Sequence, residues 1–380
     1  MRYFRKLFVI SLIIVWICLG NKVIDASEPS KEALWKKIEK YFTPPPKYAH
    51  DFGDYRTQLH YYDGRSVKSP EEWPERRKEI LDTWTEFMGE WPPLIKNQKL
   101  EILEETHREN FTQYKVSFYW LPNEKTTGYL LVPDGEGKHP AVINVYYDPE
   151  TAIGMGRKYR DFAYQLTKRG FVTLSIGTTE STKAQTYSLY YPSLENAEVQ
   201  PLSMLAYSAA NTWYVLANWP EVDSERIGIV GHSFGGKWAM FASCLFDKFA
   251  CAVWSDAGIV FDESQADVNY WEPWYLGYDK PPWRKRGIIT QENPARGVYP
   301  RLVDEGHDLH ELHALMAPRP FLVSGGRVDR PLRWKALNST IALYKFLGYE
   351  NRISMTNRLR HAPNWKSNEQ IYLFFEYFLK

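Results

Sequence analysis

Short apolar runs of strand type fall at residues 141–147, 171–176, 227–231, 251–255, 321–324 and 352–355. Between them, apolar positions recur at helical spacing over about 157–168, 202–218, 236–246 and 332–347. Strands that alternate with helices in this way predict a parallel sheet covered on both faces. Upstream, three strand-like runs at 100–105, 114–120 and 127–132 have no helices between them, so the sheet is expected to open with antiparallel strands. A last helix over about 368–379 is announced by Ser367 and Gln370, which match a capping box ahead of an apolar run.

Three stretches stand outside this rhythm. Residues 28–97 are polar, aromatic and punctuated by proline, with one helical stripe of Ile80, Leu81, Trp84, Phe87 and Met88. They read as an N-terminal extension packed on a main domain over 98–380. Residues 257–307 interrupt the alternation and contain the sequence NYWEPWYLGYDKPPW. An insertion of that size in a compact domain is usually functional, here a lid or a wall of the substrate site. Finally, Arg2, Arg5 and Lys6 precede an apolar stretch over 7–20, and the small residues Ala26 and Ser27 follow. This is the layout of a signal peptide over 1–27, which places the mature protein outside the cytoplasm, secreted or periplasmic, with a retained anchor as the alternative. Cys18 follows Ile17, where a lipid-attachment signal takes a small residue.

Roughly 350 residues remain, enough for one enlarged α/β domain with a large core. A formal charge of +1 argues against nucleic acid as a partner. The chain holds 15 Trp and 26 Tyr, a supply of rings suited to stacking on sugars as well as to packing. Beyond the leader only Cys244 and Cys251 remain, beside one helix-to-strand turn, where two buried thiols are expected rather than a bridge.

The chemistry centres on Gly231, His232, Ser233, Phe234 and Gly235, a G-x-S-x-G pentad with a strand before it and a helix after it. That order is what a nucleophile elbow requires: a turn so tight that the serine hydroxyl projects above the sheet. A serine becomes a nucleophile only when a histidine takes its proton and a carboxylate orients that histidine. His361 alone follows the last strand and precedes the terminal helix, so it is the expected base. His307, His310 and His313 drift around a helix at successive threes and form no recognised ligand spacing; neither a metal nor another cofactor is expected. Two acids compete. Asp329 follows the strand at 321–324 and is the first choice; Asp256 follows the strand at 251–255. The oxyanion donors are expected to be the N–H of Phe234 and one from the loop near Tyr147.

The stretches GHSFGGKWA, VDSERIGIV and LHELHALMAPRPFLVSGG, together with His361, resemble the α/β-hydrolase carbohydrate esterases. The likeness is greatest to glucuronoyl esterases and to the neighbouring pectin methylesterase-like and acetyl xylan esterase-like groups. The resemblance implies an α/β-hydrolase fold and a serine ester hydrolase acting on a polysaccharide or oligosaccharide. It also matches Asp256 and Asp329 to two acid stations of that family and gives Lys237 a sugar-contacting role, the alternative being a solvated helix lysine. One departure is that glucuronoyl esterases usually carry arginine after the nucleophile, where this chain has Phe234. The expected substrate therefore moves to a methyl or related ester of a uronic acid, with an O-acetyl sugar second. Trp271, Glu272 and Trp274 in the insertion are expected to contact the sugar. A peptidase or lipid esterase and an inactive sugar-binding relative are the other classes. The first lacks a gating domain, the second an apolar lid, and the third is disfavoured by a full set of catalytic residue types.

Overall fold

The computed structural model describes residues 29–380, and the expected leader at 1–27 lies outside the described residues. Helices α1 (Lys31–Ile38) and α2 (Trp73–Met88) precede strands β1 (Glu101–Arg108), β2 (Phe111–Leu121), β3 (Glu124–Pro133) and β4 (His139–Tyr146). There follow α3 (Phe162–Thr167), β5 (Val172–Gly177), α4 (Thr179–Lys183), α5 (Pro201–Ala217), β6 (Val222–His232), α6 (Phe234–Leu245) and β7 (Cys251–Ser255). After a long irregular segment come α7 (Tyr299–Asp304), α8 (His310–Ala314), β8 (Phe321–Gly325), α9 (Trp334–Phe346), β9 (Ile353–Asn357) and α10 (Trp365–Leu379).

Nine strands form one sheet in the order β1-β2-β3-β5-β4-β6-β7-β8-β9. The first three pair antiparallel, β3 meets β5 antiparallel, and every pairing from β5 to β9 is parallel. Strands β5, β7 and β8 are buried along their whole length, as a parallel sheet with helices on both faces demands. The chain steps from β4 outward to β5, then crosses back to lay β6 on the other side of β4. A crevice opens at the carboxyl ends of β4 and β6, where a doubly wound sheet places its ligand. At the far edge, β1 is exposed and polar, and Glu101 and Glu104 pair with Lys125 and Lys115; charge of this kind discourages edge-to-edge association.

Two boundaries differ from the sequence reading, each for a local reason. The helix expected from 157 starts only at Phe162, because Gly154 and Tyr159 sit at φ 90° and 66°, outside helical geometry. Helix α10 starts at Trp365. Asn364 is its cap, its Oδ1 accepting the Ser367 N–H and its own N–H donating to Ser367 Oγ, both at 3.0 Å. Ser367 is thus the last residue of the capping box instead of its first.

The segment before β1 lies against the rest of the chain through two helices. Leu34 and Ile38 of α1 are buried with Ile371 and Phe375 of α10. Helix α2 buries Ile80, Trp84, Phe87 and Met88, with Leu81 half-buried, and the Trp84 indole donates to Glu311 at 3.0 Å. In the long irregular segment Val268, Tyr270, Trp271, Tyr275 and Leu276 are buried in the main core. That segment is therefore packed protein and no free flap. Cys244 and Cys251 are free and buried, and burial pushes the Cys244 thiol up to about 12. Among the described residues no helix is long and apolar enough to cross a membrane.

Candidate active site

Ser233 stands alone between β6 and α6 at φ 58°, ψ −115°. A non-glycine residue held in that region carries strain of about 1–3 kcal/mol, which the surroundings must offset. Its N–H donates to Ser255 O at 2.8 Å, tying the turn to the end of β7. Both flanking glycines are required by close approach. A Cβ on Gly231 would stand 2.0 Å from Gly235 O, and one on Gly235 would stand 2.0 Å from Val145 O. Strand end, helix start and the end of β4 can meet only if neither position has a side chain.

His361 Nε2 lies 2.8 Å from Ser233 Oγ, and its Nδ1 lies 2.6 Å from Asp256 Oδ2. With Nδ1 protonated, the imidazole donates to the carboxylate and accepts from the hydroxyl. Asp256 is fully buried, and its Oδ1 accepts the N–H groups of Val328 (3.1 Å) and Asp329 (2.8 Å), so it cannot swing away. Asp329, the first choice from sequence, does not touch the histidine. Its Oδ1 and Oδ2 accept the N–H groups of Ile259 (2.8 Å) and Gly258 (2.9 Å), fixing the backbone that follows Asp256. Sheet order explains the exchange: β7, which carries Asp256, is the direct neighbour of β6, whereas β8 is one strand further away. Burial, reinforced by the charge of Asp256, pushes the Asp329 carboxyl above the usual carboxylate range.

Two further side chains hold this arrangement, and no spacing in the sequence pointed to either. Arg358 donates to His361 O (2.7 Å), Ala362 O (3.1 Å) and Ser324 O (2.7 Å), and to Ser255 Oγ (3.3 Å). It clamps the histidine loop to the ends of β7 and β8. His232 lies with its ring 4.8 Å from that of His361, and its Nδ1 is 3.1 Å from Ser255 O. Burial holds its pKa well below the ordinary value, so this second imidazole is neutral and adds no charge beside His361.

Phe234 opens α6, and the N–H groups of a first helical turn have no partner inside the helix. Its ring stacks on Tyr147 at 4.7 Å, just beyond β4. Burial raises the Tyr147 phenol to about 12. A cavity of ≈ 80 Å³ is lined by Ser233, Phe234 and Lys237, by the rings of Tyr147, Tyr187, Trp274 and Tyr275, and by Asp267, Asn269 and Arg286 among others. A larger cavity of ≈ 490 Å³, lined by Tyr55, Arg56, Tyr299 and Asp308 among others, contains none of the Ser233, His361 and Asp256 group.

The insertion residues divide. Trp274 lines the cavity, its ring 5.1 Å from Tyr187. Trp271 does not: it is fully buried, donates Nε1 to Gly287 O at 2.9 Å and meets Tyr299 edge-on. Glu272 is also buried, paired with Arg284 at 3.1 Å and accepting the Gly287 N–H at 2.9 Å, so neither presents a face to a sugar. Lys237 is buried rather than solvated. Its ammonium donates to Ala257 O (2.6 Å) and Val268 O (2.7 Å) and lies 4.0 Å from the centre of the Tyr270 ring. Arg286 was not singled out from the sequence. His307, His310 and His313 face different partners, the first on Glu311 at 2.8 Å and the second on Arg56 O at 2.9 Å.

The profile of the family described as BAAT / acyl-CoA thioester hydrolase C terminal matches residues 205–299, the stretch from α5 to α7 that includes the elbow. Among solved structures, a glucuronoyl esterase from Solibacter usitatus is similar at 16% identity and TM-score 0.67, over 86% of this chain and 98% of that one. A carbohydrate esterase family 15 glucuronoyl esterase from Caldicellulosiruptor kristjansonii matches at 20% identity and TM-score 0.61, over 87% and 92%. A putative acetyl xylan esterase from Bacteroides fragilis matches at 18% identity and TM-score 0.54, over 87% and 82%. With its doubly wound sheet, its strand-turn-helix elbow and these neighbours, the chain has the α/β-hydrolase fold.

Proposed function

We propose that the protein is a secreted or periplasmic serine esterase that hydrolyses a methyl or related ester of a uronic acid on a polysaccharide. The observation that carries the reading is the hydrogen-bonded series from Ser233 Oγ through His361 to Asp256, ending in a polar, ring-walled cavity. In this reading Ser233 Oγ attacks the ester carbonyl while its proton passes to His361 Nε2, and buried Asp256 stabilises the imidazolium that forms. The negative charge on the carbonyl oxygen is met by the Phe234 N–H at the start of α6, where the helix dipole also favours an anion, and by a donor of the loop at Tyr147. The intermediate expels the alcohol, which takes the proton from His361, and water then releases the acyl group by the same route. The substrate class rests on the carbohydrate esterases among the similar structures and on the rings at the cavity wall.

An O-acetyl sugar is the second reading, favoured by the small volume next to Ser233, which suits an acetyl group, and by the acetyl xylan esterase likeness. The test is side-by-side hydrolysis of methylated pectin, a glucuronate ester, acetylated xylan and an acyl-CoA thioester by the wild type and Ser233→Ala. Turnover of a uronate ester above the others supports the first reading and preference for acetylated xylan the second. Turnover of the thioester alone rejects both.

A further inference from the structure

The charges around Ser233 are not all balanced. The protons of Lys237 are directed to two carbonyls, and Asp267 is paired with Arg327. Arg286 lines the same cavity, yet among the described residues its side chain makes no ion pair and no hydrogen bond. Its guanidinium carbon lies 5.6 Å from the ring centres of both Tyr187 and Trp274. The nearby carboxylate of Glu272 is engaged by Arg284 and the Gly287 N–H.

Arg286 is also held in place by a device that otherwise lacks a purpose. The next residue, Gly287, is gripped on both sides. Its N–H donates to Glu272, and its carbonyl accepts from Trp271 Nε1 (2.9 Å) and from Arg284 (3.2 Å). Arg284 reaches on to Pro294 O and Asn293 O, so one guanidinium ties the whole turn together. Gly287 has φ +136°, a region other residues rarely enter, although a Cβ there would meet nothing within 4 Å. The glycine is needed for conformation and not for space. Glu272 and Arg284 are each 1% exposed. A buried ion pair seldom adds net stability, and its best-attested use is to specify one arrangement. Here the arrangement it specifies is the peptide that follows Arg286.

We propose that Arg286 is a specificity-determining residue that binds a free carboxylate on the substrate, and that Trp271, Glu272 and Arg284 are positioning residues for it. The substrate is then a partly esterified polyuronate, in which one unit presents its ester to Ser233 and a neighbouring unit presents an unesterified carboxylate to Arg286. A planar guanidinium matches a carboxylate through two parallel hydrogen bonds, and flanking rings both steer the guanidinium and shield the pair from water. This assignment rests on the esterase reading for its substrate, but its test does not require turnover.

The test is titration calorimetry with unesterified trigalacturonate and with its fully methyl-esterified counterpart. The wild type is expected to bind the acid more tightly than the ester. Arg286→Gln should weaken the acid by at least about tenfold while changing the ester by less than about threefold, and Arg286→Lys should recover part of the loss. Glu272→Gln, checked for folding by its melting temperature, should show the same charge-selective loss, which a purely structural role would not give. Equal affinity of the wild type for acid and ester, absence of binding, or equal weakening of both by Arg286→Gln would overturn the assignment. Charge-selective binding without hydrolysis of any uronate ester would uphold Arg286 and reject the proposed function.

Discussion

The buried carboxylates of Asp256 and Asp329, only the first of which bonds His361, make the sharpest test of the active-site geometry. Asp256→Asn replaces the acceptor 2.6 Å from His361 Nδ1 while keeping the side chain's shape. If the amide nitrogen turns to the ring it offers a donor where the imidazole also has one, and the tautomer that can accept the Ser233 proton is lost. If it turns away it faces the N–H groups of Val328 and Asp329, again donor against donor. Either way the expected fall in kcat is about 10⁴-fold, about 5.4 kcal/mol, as for a sole triad acid. Asp329→Asn is a different perturbation. It serves two backbone N–H groups, those of Gly258 and Ile259, and an amide oxygen can keep only one of them well. The loss of one such bond to a buried carboxylate destabilises the protein by about 1–3 kcal/mol and lowers the melting temperature, but the relay to Ser233 is untouched. Activity should fall by no more than about tenfold. The measurement is kcat on p-nitrophenyl acetate alongside thermal unfolding of each variant. A larger kcat loss for Asp329→Asn than for Asp256→Asn would refute the assignment of the acid by sheet adjacency.

Ser233→Ala should reduce kcat by several powers of ten with an unchanged melting temperature, measured on the same ester; activity within about tenfold of wild type would remove Ser233 from the mechanism. Arg358→Gln should lower kcat by about tenfold or more and blur the NMR signals of His361, because the loop loses the donors that fix its carbonyls; a silent variant would show that the loop holds itself. Trp274→Ala should lower kcat/KM on a uronate oligosaccharide by about tenfold, whereas Trp271→Ala, which removes the buried ring that bonds Gly287, should lower the melting temperature and also weaken acid-selective binding at Arg286. Acid should unfold the protein through His313. Burial lowers its pKa to about 3, so below about 6.5 the unfolded chain binds a proton that the folded chain refuses, and stability falls as pH drops towards 3. From pH 6.5 to pH 5 this group alone contributes a loss of about 2 kcal/mol, read from urea midpoints, and His313→Gln should flatten the slope.

The elbow and the histidine were legible because each is tied to local order along the chain: a strand, a pentad and a helix in one case, the last loop before the last helix in the other. The choice between Asp256 and Asp329 was not, since both follow strands and only the lateral order of β6, β7 and β8 decides which carboxylate lies beside His361. The rings of the insertion were visible as rings, yet period and composition do not separate a tryptophan that seals a loop, such as Trp271, from one that lines a cavity, such as Trp274. Arg286 and Arg358 act through long side chains from irregular backbone, so nothing in their neighbours marks them. The start of α10 was misplaced because Ser367 fits either role in a capping box, and only the backbone shows that Asn364 is the residue outside the helix.

Lys237 has a consequence for how the molecule comes apart. By bonding Ala257 and Val268 from the first turn of α6, it links both ends of the opening stretch of the insertion to the helix that follows Ser233. Detaching such a segment while the helix stays folded is costly, because the buried Lys237 donors, whose pKa burial lowers to about 7, would be left without their carbonyls. Residues 257–278 and α6 should therefore open as one cooperative unit. Their amides should exchange at a common, high free energy, and a protease should cut the irregular segment there only when the whole sheet lets go.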